Sequence, residues 1–186
     1  MSERRRTIAV LGVGMMGGAI LRGILSHGFS EGEDVSVYDV DPAKTKPFVE
    51  AYGVNAEESN AAAVRDADVI LLAVKPQYIS KVMDEISDEI APEALVISIA
   101  VGVTLSRMAE DLGTSNLVRV MPNMAVQIGK GVSGWIADYG VSQEDKDYVR
   151  ALLSQVGTAI EVMSEDQIDY FGAISGSGPA FVSLFM

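Results

Sequence analysis

The chain contains no cysteine. That absence removes disulfides, thiolate nucleophiles, iron–sulfur clusters and cysteine-based zinc sites together, and it fits a cytoplasmic location. Histidine is almost as scarce. His27 is the only one, so a Ser-His-Asp triad, a histidine metal site or histidine acid–base catalysis would have to rest on it. It precedes Gly28 at the expected end of a helix, where an imidazole interacts favourably with the last carbonyls. It reads as structural, and no metal site is expected. Cations are also few: 14 Lys and Arg stand against 26 Asp and Glu, a formal charge of -12. That balance argues against nucleic acid, which demands clustered positive charge, and against an anionic membrane surface. The single basic run, Arg4 to Arg6, reads as a solvated start of chain. No apolar run reaches the roughly 18 residues a transmembrane helix needs. The apolar stretch from Ile8 is broken by Gly12, Gly14, Gly17 and Gly18, so it is not a signal peptide. What remains, 48% hydrophobic and 22% charged residues, is the composition of a globular protein with a real core.

The hydrophobic pattern alternates between short β-branched runs and helix-spaced stretches. Strands are expected at Thr7–Leu11, Asp34–Tyr38, Gly53–Asn55, Asp68–Val74, Ala94–Ile99, Leu117–Met121, Gly131–Ile136 and Ala159–Val162. Helices are expected at Met15–Leu25, after Asp41-Pro42, at Glu57–Asp66, from Pro76 to about Ile90, from the cap Thr104 to Leu112, from the Ser142/Asp145 capping box to Gln155, and at Asp166–Ile174. Such alternation predicts an α/β fold, a Rossmann-like doubly wound and mainly parallel sheet, with ligands at the carboxyl ends of the strands. Ser175-Gly-Ser-Gly-Pro179 reads as a loop from which Pro179 starts a new helix. That helix is apolar on several faces, with Phe181, Val182, Leu184, Phe185 and Met186. A bare apolar surface of this kind predicts association and a helical region meant to follow. The expected division is a dinucleotide-binding domain over 1–164 and the incomplete start of a helical dimerisation and substrate domain over 165–186.

The strongest motif is Gly12-Val13-Gly14-Met15-Met16-Gly17. Alone a GxGxxG is weak, but this one follows a strand, opens a helix and lies in a βαβ unit. Gly12 permits the turn, Gly14 lets backbone approach a pyrophosphate, and Gly17 lets helix pack on strand. The amides of Met15 and Met16 and the positive helix end then face the phosphates. Asp39 falls about 20 residues further on, at the end of the second strand, where a carboxylate accepts the ribose hydroxyls of NAD. It disfavours a 2'-phosphate, so the cofactor, NADP or NAD, leans to NAD. The other reading of Asp39 is an N-terminal helix charge in the Asp39–Asp41 turn.

Three further segments carry a family resemblance: Ala73-Val74-Lys75-Pro76, Val118-Arg-Val-Met-Pro-Asn123, and Ile174-Ser-Gly-Ser-Gly-Pro-Ala-Phe181. With Ser98–Thr104 in a looser form, and in this order, they resemble pyrroline-5-carboxylate reductase from Ile8 to the end of the chain. The resemblance implies an oxidoreductase of proline biosynthesis, transferring hydride from NAD(P)H to 1-pyrroline-5-carboxylate, a small imino acid. It implies that Gly12 to Gly17 hold the pyrophosphate, that Asn60 and Ala73, Val74, Lys75 and Pro76 line the adenosine and ribose side, and that Ile99, Ala100 and Val101 line the nicotinamide side. Lys75 is equally well a surface lysine before a helix-starting proline. Asn123, Glu165, Ser175, Gly176 and Ser177 fall near the family's substrate site. Asn123 could instead close a turn, Glu165 could be an exposed helix-start charge, and Arg119 reads as a solvated or ion-paired strand residue. Two departures are visible: Met124-Ala125 replaces the family's Thr-Pro, and Val101 stands for alanine.

The family's substrate carboxylate donors and its dimer come largely from a later helical segment. Hence no catalytic side chain is assigned here, a homodimer or higher homo-oligomer is expected, and the chain by itself is expected to show little reductase activity. The competing readings are a β-hydroxyacid-dehydrogenase-like enzyme and a non-catalytic nucleotide-binding module. The first wants a catalytic lysine on a later helix, and between Asp138 and Met186 only Lys146 is available.

Overall fold

Eight strands form one sheet in the order β3-β2-β1-β4-β5-β6-β7-β8. The computed structural model describes residues 5–185; Arg4 and Met186 lie outside the described residues. The strands are β1 (Ile8–Leu11), β2 (Val35–Tyr38), β3 (Asn55–Ala56), β4 (Val69–Leu72), β5 (Leu95–Ser98), β6 (Leu117–Met121), β7 (Gly131–Ala137) and β8 (Gly157–Glu161). The helices are α1 (Met15–Ser26), α2 (Pro42–Tyr52), α3 (Asn60–Val64), α4 (Pro76–Ile86), α5 (Leu105–Leu112), α6 (Gln143–Ser154), α7 (Glu165–Phe171) and α8 (Gly178–Phe185).

β1 to β6 are parallel, with Ile8 opposite both Val35 and Val69, Val69 opposite Leu95, and Val96 opposite Leu117. The stretch 122–130 is shorter than the roughly dozen residues a parallel crossover needs. β7 accordingly runs antiparallel to β6, Val118 facing Ala137, and α6 then carries the chain back to a parallel β8. The expected mainly parallel, doubly wound α/β sheet is what the chain forms.

The apolar strands are buried on both faces because successive residues feed different cores. Ile8 and Val10 join Ile20, Leu21 and Ile24 of α1 and Val149, Leu152 and Leu153 of α6. Ala9 and Leu11 join Ala63 of α3, Ile79 and Met83 of α4, and Met108 and Leu112 of α5. Helix ends follow side-chain chemistry. The Asp41 side chain accepts from the Ala43 N–H with Pro42 at the first helical position, and Gly53 and Gly113 close α2 and α5 in the left-handed conformation.

Three expectations are corrected. Arg6 is not solvated: it donates to Asp145 and, at 3.0 Å, to Glu144, and its guanidinium lies 4.6 Å from the Tyr148 ring. The helix expected from Glu57 starts at Asn60. Ser59 caps it by accepting the Ala62 N–H, while the Glu57 N–H is held by Val37 O. Ser175–Pro179 is not a loop. After α7, residues Gly172–Ser177 form a wide π-helical turn that runs directly into α8. A proline inside an α-helix lacks an N–H and collides with the carbonyl four residues back. The wider turn accommodates Pro179, and Gly178, without a Cβ, tolerates helical backbone before proline.

Candidate functional site

β1 ends at Leu11 and the chain turns through Gly12, whose φ of 92° needs glycine. The Gly12 N–H donates to Tyr38 O and the Ala73 N–H to Leu11 O, both at 2.8 Å, so the tips of β1, β2 and β4 are tied together. A Cβ on Gly12 would stand 2.8 Å from Ala73 O, and one on Gly17 only 2.1 Å from Gly12 O. The protein's own packing therefore demands both. Gly14 is different. Its φ of -74° suits any residue, and a Cβ there meets nothing within 4 Å. It is the N-cap of α1, supplies no capping side chain, and is followed by no acid in the first turn. The first N–H groups of a helix have no intrahelical acceptor. The loop thus presents open amides and a positive helix end to empty space, a cradle that fits a diphosphate.

Asp39, at the end of β2, is tied to the same loop. Its Oδ2 accepts the Val13 N–H at 2.9 Å; its Oδ1 accepts the Asp41 N–H at 3.0 Å and the Lys44 ammonium at 2.9 Å. Burial pushes this carboxyl upward, but the bonds from Asp41, Lys44 and Val13 outweigh it and hold the group below its ordinary range.

Beside the loop lies a cleft of about 640 Å³. Gly14, Met15 and Met16 form one wall. Ala73, Val74 and Lys75 after β4, and Ile99 and Val101 after β5, form its floor. The far wall is Met121 to Met124 after β6, with Ile168 and Asp169 of α7 and Gly172, Ala173, Gly176 and Ser177 of the π turn. Every one of these segments lies at or beyond a strand's carboxyl end or on α7 and its continuation, the place a doubly wound sheet reserves for ligands.

Arg119 of β6 also lines this wall, although only 4% of it is exposed. It donates to Glu165 Oε1 at 2.9 Å and to Asp169 Oδ1 at 2.8 Å. The same Glu165 oxygen accepts the Leu105 N–H at 3.1 Å, so it joins β6, α7 and the start of α5. Of the two expectations for Arg119, solvated or ion-paired, the second holds. Its pairing ties α7 to β6.

The cleft brings together the amides of Met15 and Met16, Ala73 to Lys75, Ile99, Val101, Asn123, Gly176 and Ser177. Asn123 Oδ1 accepts the Val132 N–H at 3.1 Å, which closes the turn and leaves its Nδ2 with no hydrogen bond among the described residues. Other expected site residues do not line the cleft. Val13 is buried with its N–H given to Asp39. Asn60 is buried and donates to Glu85 at 2.7 Å, and Ala100 is packed in the core. The Ser175 hydroxyl donates to Phe171 O at 2.7 Å, one helical turn back. Glu165 spends its carboxylate on Arg119 and Leu105. Gly12, Gly17, Asp39 and Pro76 shape the rim without lining it. Sequence reading left out Met121, Pro122, Met124, Ile168, Asp169, Gly172 and Ala173, and it read Arg119 as a strand residue outside the site. The Glu165/Asp169 spacing of one helical turn was the available sign, since it places two acids on one face for a single cation. Lys146 lies elsewhere, 3.4 Å from Glu161.

Residues 7–102 match the family model described as "NADP oxidoreductase coenzyme F420-dependent", a span from β1 to just past β5. A pyrroline-5-carboxylate reductase of Methanosarcina acetivorans is 38% identical over 177 residues, which are 94% of this chain and 65% of that protein. The chain thus spans about two thirds of this relative's length. The solved pyrroline-5-carboxylate reductase of Coxiella burnetii superposes with a TM-score of 0.92 at 35% identity, covering 98% of this chain and 68% of that one. The Plasmodium falciparum pyrroline carboxylate reductase, solved with NADP bound, gives 0.84 at 30% identity, covering 97% and 66%.

Proposed function

Because the chain belongs to the pyrroline-5-carboxylate reductase family, as its N-terminal NAD(P)-binding part, we propose that it serves the reduction of 1-pyrroline-5-carboxylate to proline. NADPH or NADH is the proposed cofactor. The observation that carries this reading is the continuity of the cleft from the glycine-loop amides, across the ends of β4, β5 and β6, to Asn123 and the π turn.

The reduced nicotinamide, when bound, supplies a hydride to the imine carbon of the substrate. The chain's own residues bind and orient. The amides of Met15 and Met16 hold the diphosphate. Ala73 to Pro76 border the ribose side, and Ile99 and Val101 offer an apolar face to the nicotinamide. Asn123 Nδ2 and the Gly176–Ser177 backbone face the imino acid. A protonated imine is already electrophilic and keeps its proton as the C=N electron pair moves to nitrogen, so placement is the main task.

Residues 1–164 are proposed as the nucleotide-binding unit and 165–186 as the beginning of a helical unit. On α8, Phe181, Val182, Leu184 and Phe185 are exposed, and a homodimer is proposed to cover them. Among the described residues no helix is long and apolar enough to cross a membrane, and a cytoplasmic site of action is proposed.

Titration with NADPH and NADH, followed by nicotinamide fluorescence, tests the cofactor assignment; saturable binding is expected, and binding of neither would overturn it. Oxidation of NADPH with the imino acid, compared with reduction of NADP by 3-hydroxy acids, tests the substrate class. Turnover of the hydroxy acids alone would replace this reading with the dehydrogenase one.

A further inference from the structure

Lys44, the partner of Asp39, has no role in the reading above. An ionised carboxylate offers about four acceptor positions, two on each oxygen. On Asp39 three are filled: Oδ1 by Asp41 N–H and Lys44, Oδ2 by Val13 N–H. An adenosine ribose bringing two hydroxyl donors finds one position open, and a second only if the ammonium leaves. A 2'-phosphate brings no donor. It brings negative charge, which an unpaired carboxylate repels.

Lys44 is placed to answer both cases. It lies in the first turn of α2 with its side chain 43% exposed, whereas Asp39 is 7% exposed. Only one of its three N–H donors is used on Asp39. Asp41 adds its negative charge beside the Lys44 ammonium, and the remaining charges near the start of α2 have other partners. Asp41 Oδ1 accepts the Ala43 N–H, Lys46 lies 3.7 Å from Glu50, and the Arg22 guanidinium lies 5.4 Å from the Phe48 ring.

We propose that Lys44 makes this a two-cofactor site. Its ammonium neutralises Asp39, and it turns to a 2'-phosphate when one is present, so NADP(H) is admitted beside an acid that alone selects NAD(H). Asp39 cannot turn in the same way, because the Val13 and Asp41 amides anchor it to the loop. Selection therefore rests on the one mobile member of the pair. The inference rests on the dinucleotide reading and deepens it.

The test is fluorescence titration of NADPH and NADH, at low and at moderate salt, into the whole chain and its Lys44→Met and Lys44→Arg variants. Thermal melts serve to show that each variant folds. The wild-type chain is expected to bind both cofactors with dissociation constants within about tenfold of one another. Lys44→Met is expected to weaken NADPH by about tenfold or more and to leave NADH as tight as in the wild type or up to about threefold tighter, because a charge-assisted bond to phosphate is lost while the ribose gains an acceptor position on Asp39. Lys44→Arg keeps the cation and the wild-type ratio, and the NADPH preference falls as salt rises. An unchanged NADPH/NADH ratio in a folded Lys44→Met variant overturns the role of Lys44 while leaving dinucleotide binding intact. Binding of neither cofactor by the wild-type chain overturns the dinucleotide reading, and this inference with it.

Discussion

Replacing Gly14 by alanine separates the glycine that a ligand needs from those the fold needs. A Cβ on Gly17 would lie 2.1 Å from a backbone oxygen, which cannot yield as a flexible side chain can. Gly17→Ala therefore costs at least the upper part of the about 1–3 kcal/mol of an overpacked core. In a chain of this size that is a fall in Tm of about 6–12 °C. Gly14→Ala meets nothing within 4 Å and sits at an ordinary φ of -74°. It exchanges one N-cap residue for a poorer one, at most about 1 kcal/mol and a few degrees. Binding reverses the order. The new methyl stands in open space on a residue that lines the cleft beside Met15 and Met16, where the diphosphate is proposed to sit. Losing one or two charge-assisted bonds of about 1.5–3 kcal/mol each raises the dissociation constant of NADPH by about tenfold to a thousandfold or more. Thermal melts and fluorescence titrations of the two variants give both readings. Wild-type NADPH affinity in Gly14→Ala, or a loss of stability equal to that of Gly17→Ala, would refute the division of labour assigned to the loop.

The buried Arg119 gives a second expectation. Its removal strands two carboxylates, but Glu165 and Asp169 side chains are 31% and 66% exposed, so water softens the loss. Arg119→Met should cost about 2–3 kcal/mol, below the full price of breaking a buried pair, and a melt should register about 5–10 °C. Asp39 gives a pH signature. Its folded-state pKa lies below the ordinary 3.8, so its stabilisation is complete above that value and fades as pH falls through the lower folded one. The Tm gap between wild type and Asp39→Asn should stay constant from about pH 7 to 5 and close below about pH 4; a gap that closed near neutrality would contradict the assignment. Ser142 caps α6 by accepting the Asp145 N–H at 3.1 Å and donates to Asp145 Oδ2 at 2.8 Å. Ser142→Ala should lower stability by about 1 kcal/mol, a Tm change of about 2–4 °C.

The strands and most helices were legible because each announces itself locally. β1 and β4 are unbroken apolar runs, and β5 is broken only by its last residue, Ser98, a pattern that strands buried on both faces require. The caps at Asp41, Thr104 and Ser142 stand where the residue types say they should. The glycine loop was legible for a similar reason: a strand, three glycines and a helix in sequence imply one turn geometry. Less visible was how that loop divides its work. Gly12 and Gly17 answer to Ala73, some 60 residues away, whereas a Cβ on Gly14 meets no atom of the described residues within 4 Å. Spacing alone treats the three alike.

What escaped reading depended on partners distant in sequence. Glu165 and Asp169 look like ordinary acids at a helix start until Arg119, on a strand 46 and 50 residues earlier, is brought beneath them. Asp39 looks like a free ribose acceptor until the Val13 and Asp41 amides and Lys44 are seen to occupy most of it. The π turn is the sharper case. Glycine, serine and proline are loop residues by local preference, and Ser175-Gly-Ser-Gly-Pro179 has little else. Their helical state is decided by packing against β6: a Cβ on Gly172 would lie 2.9 Å from Met121 Cε, and one on Gly176 3.4 Å from the same atom. The two glycines, one helical turn apart, let this segment settle closely over Met121, and the widened turn leaves room for Pro179. The residues that read as a break are therefore the ones that let the helix continue, and through them Gly176 and Ser177 reach the cleft.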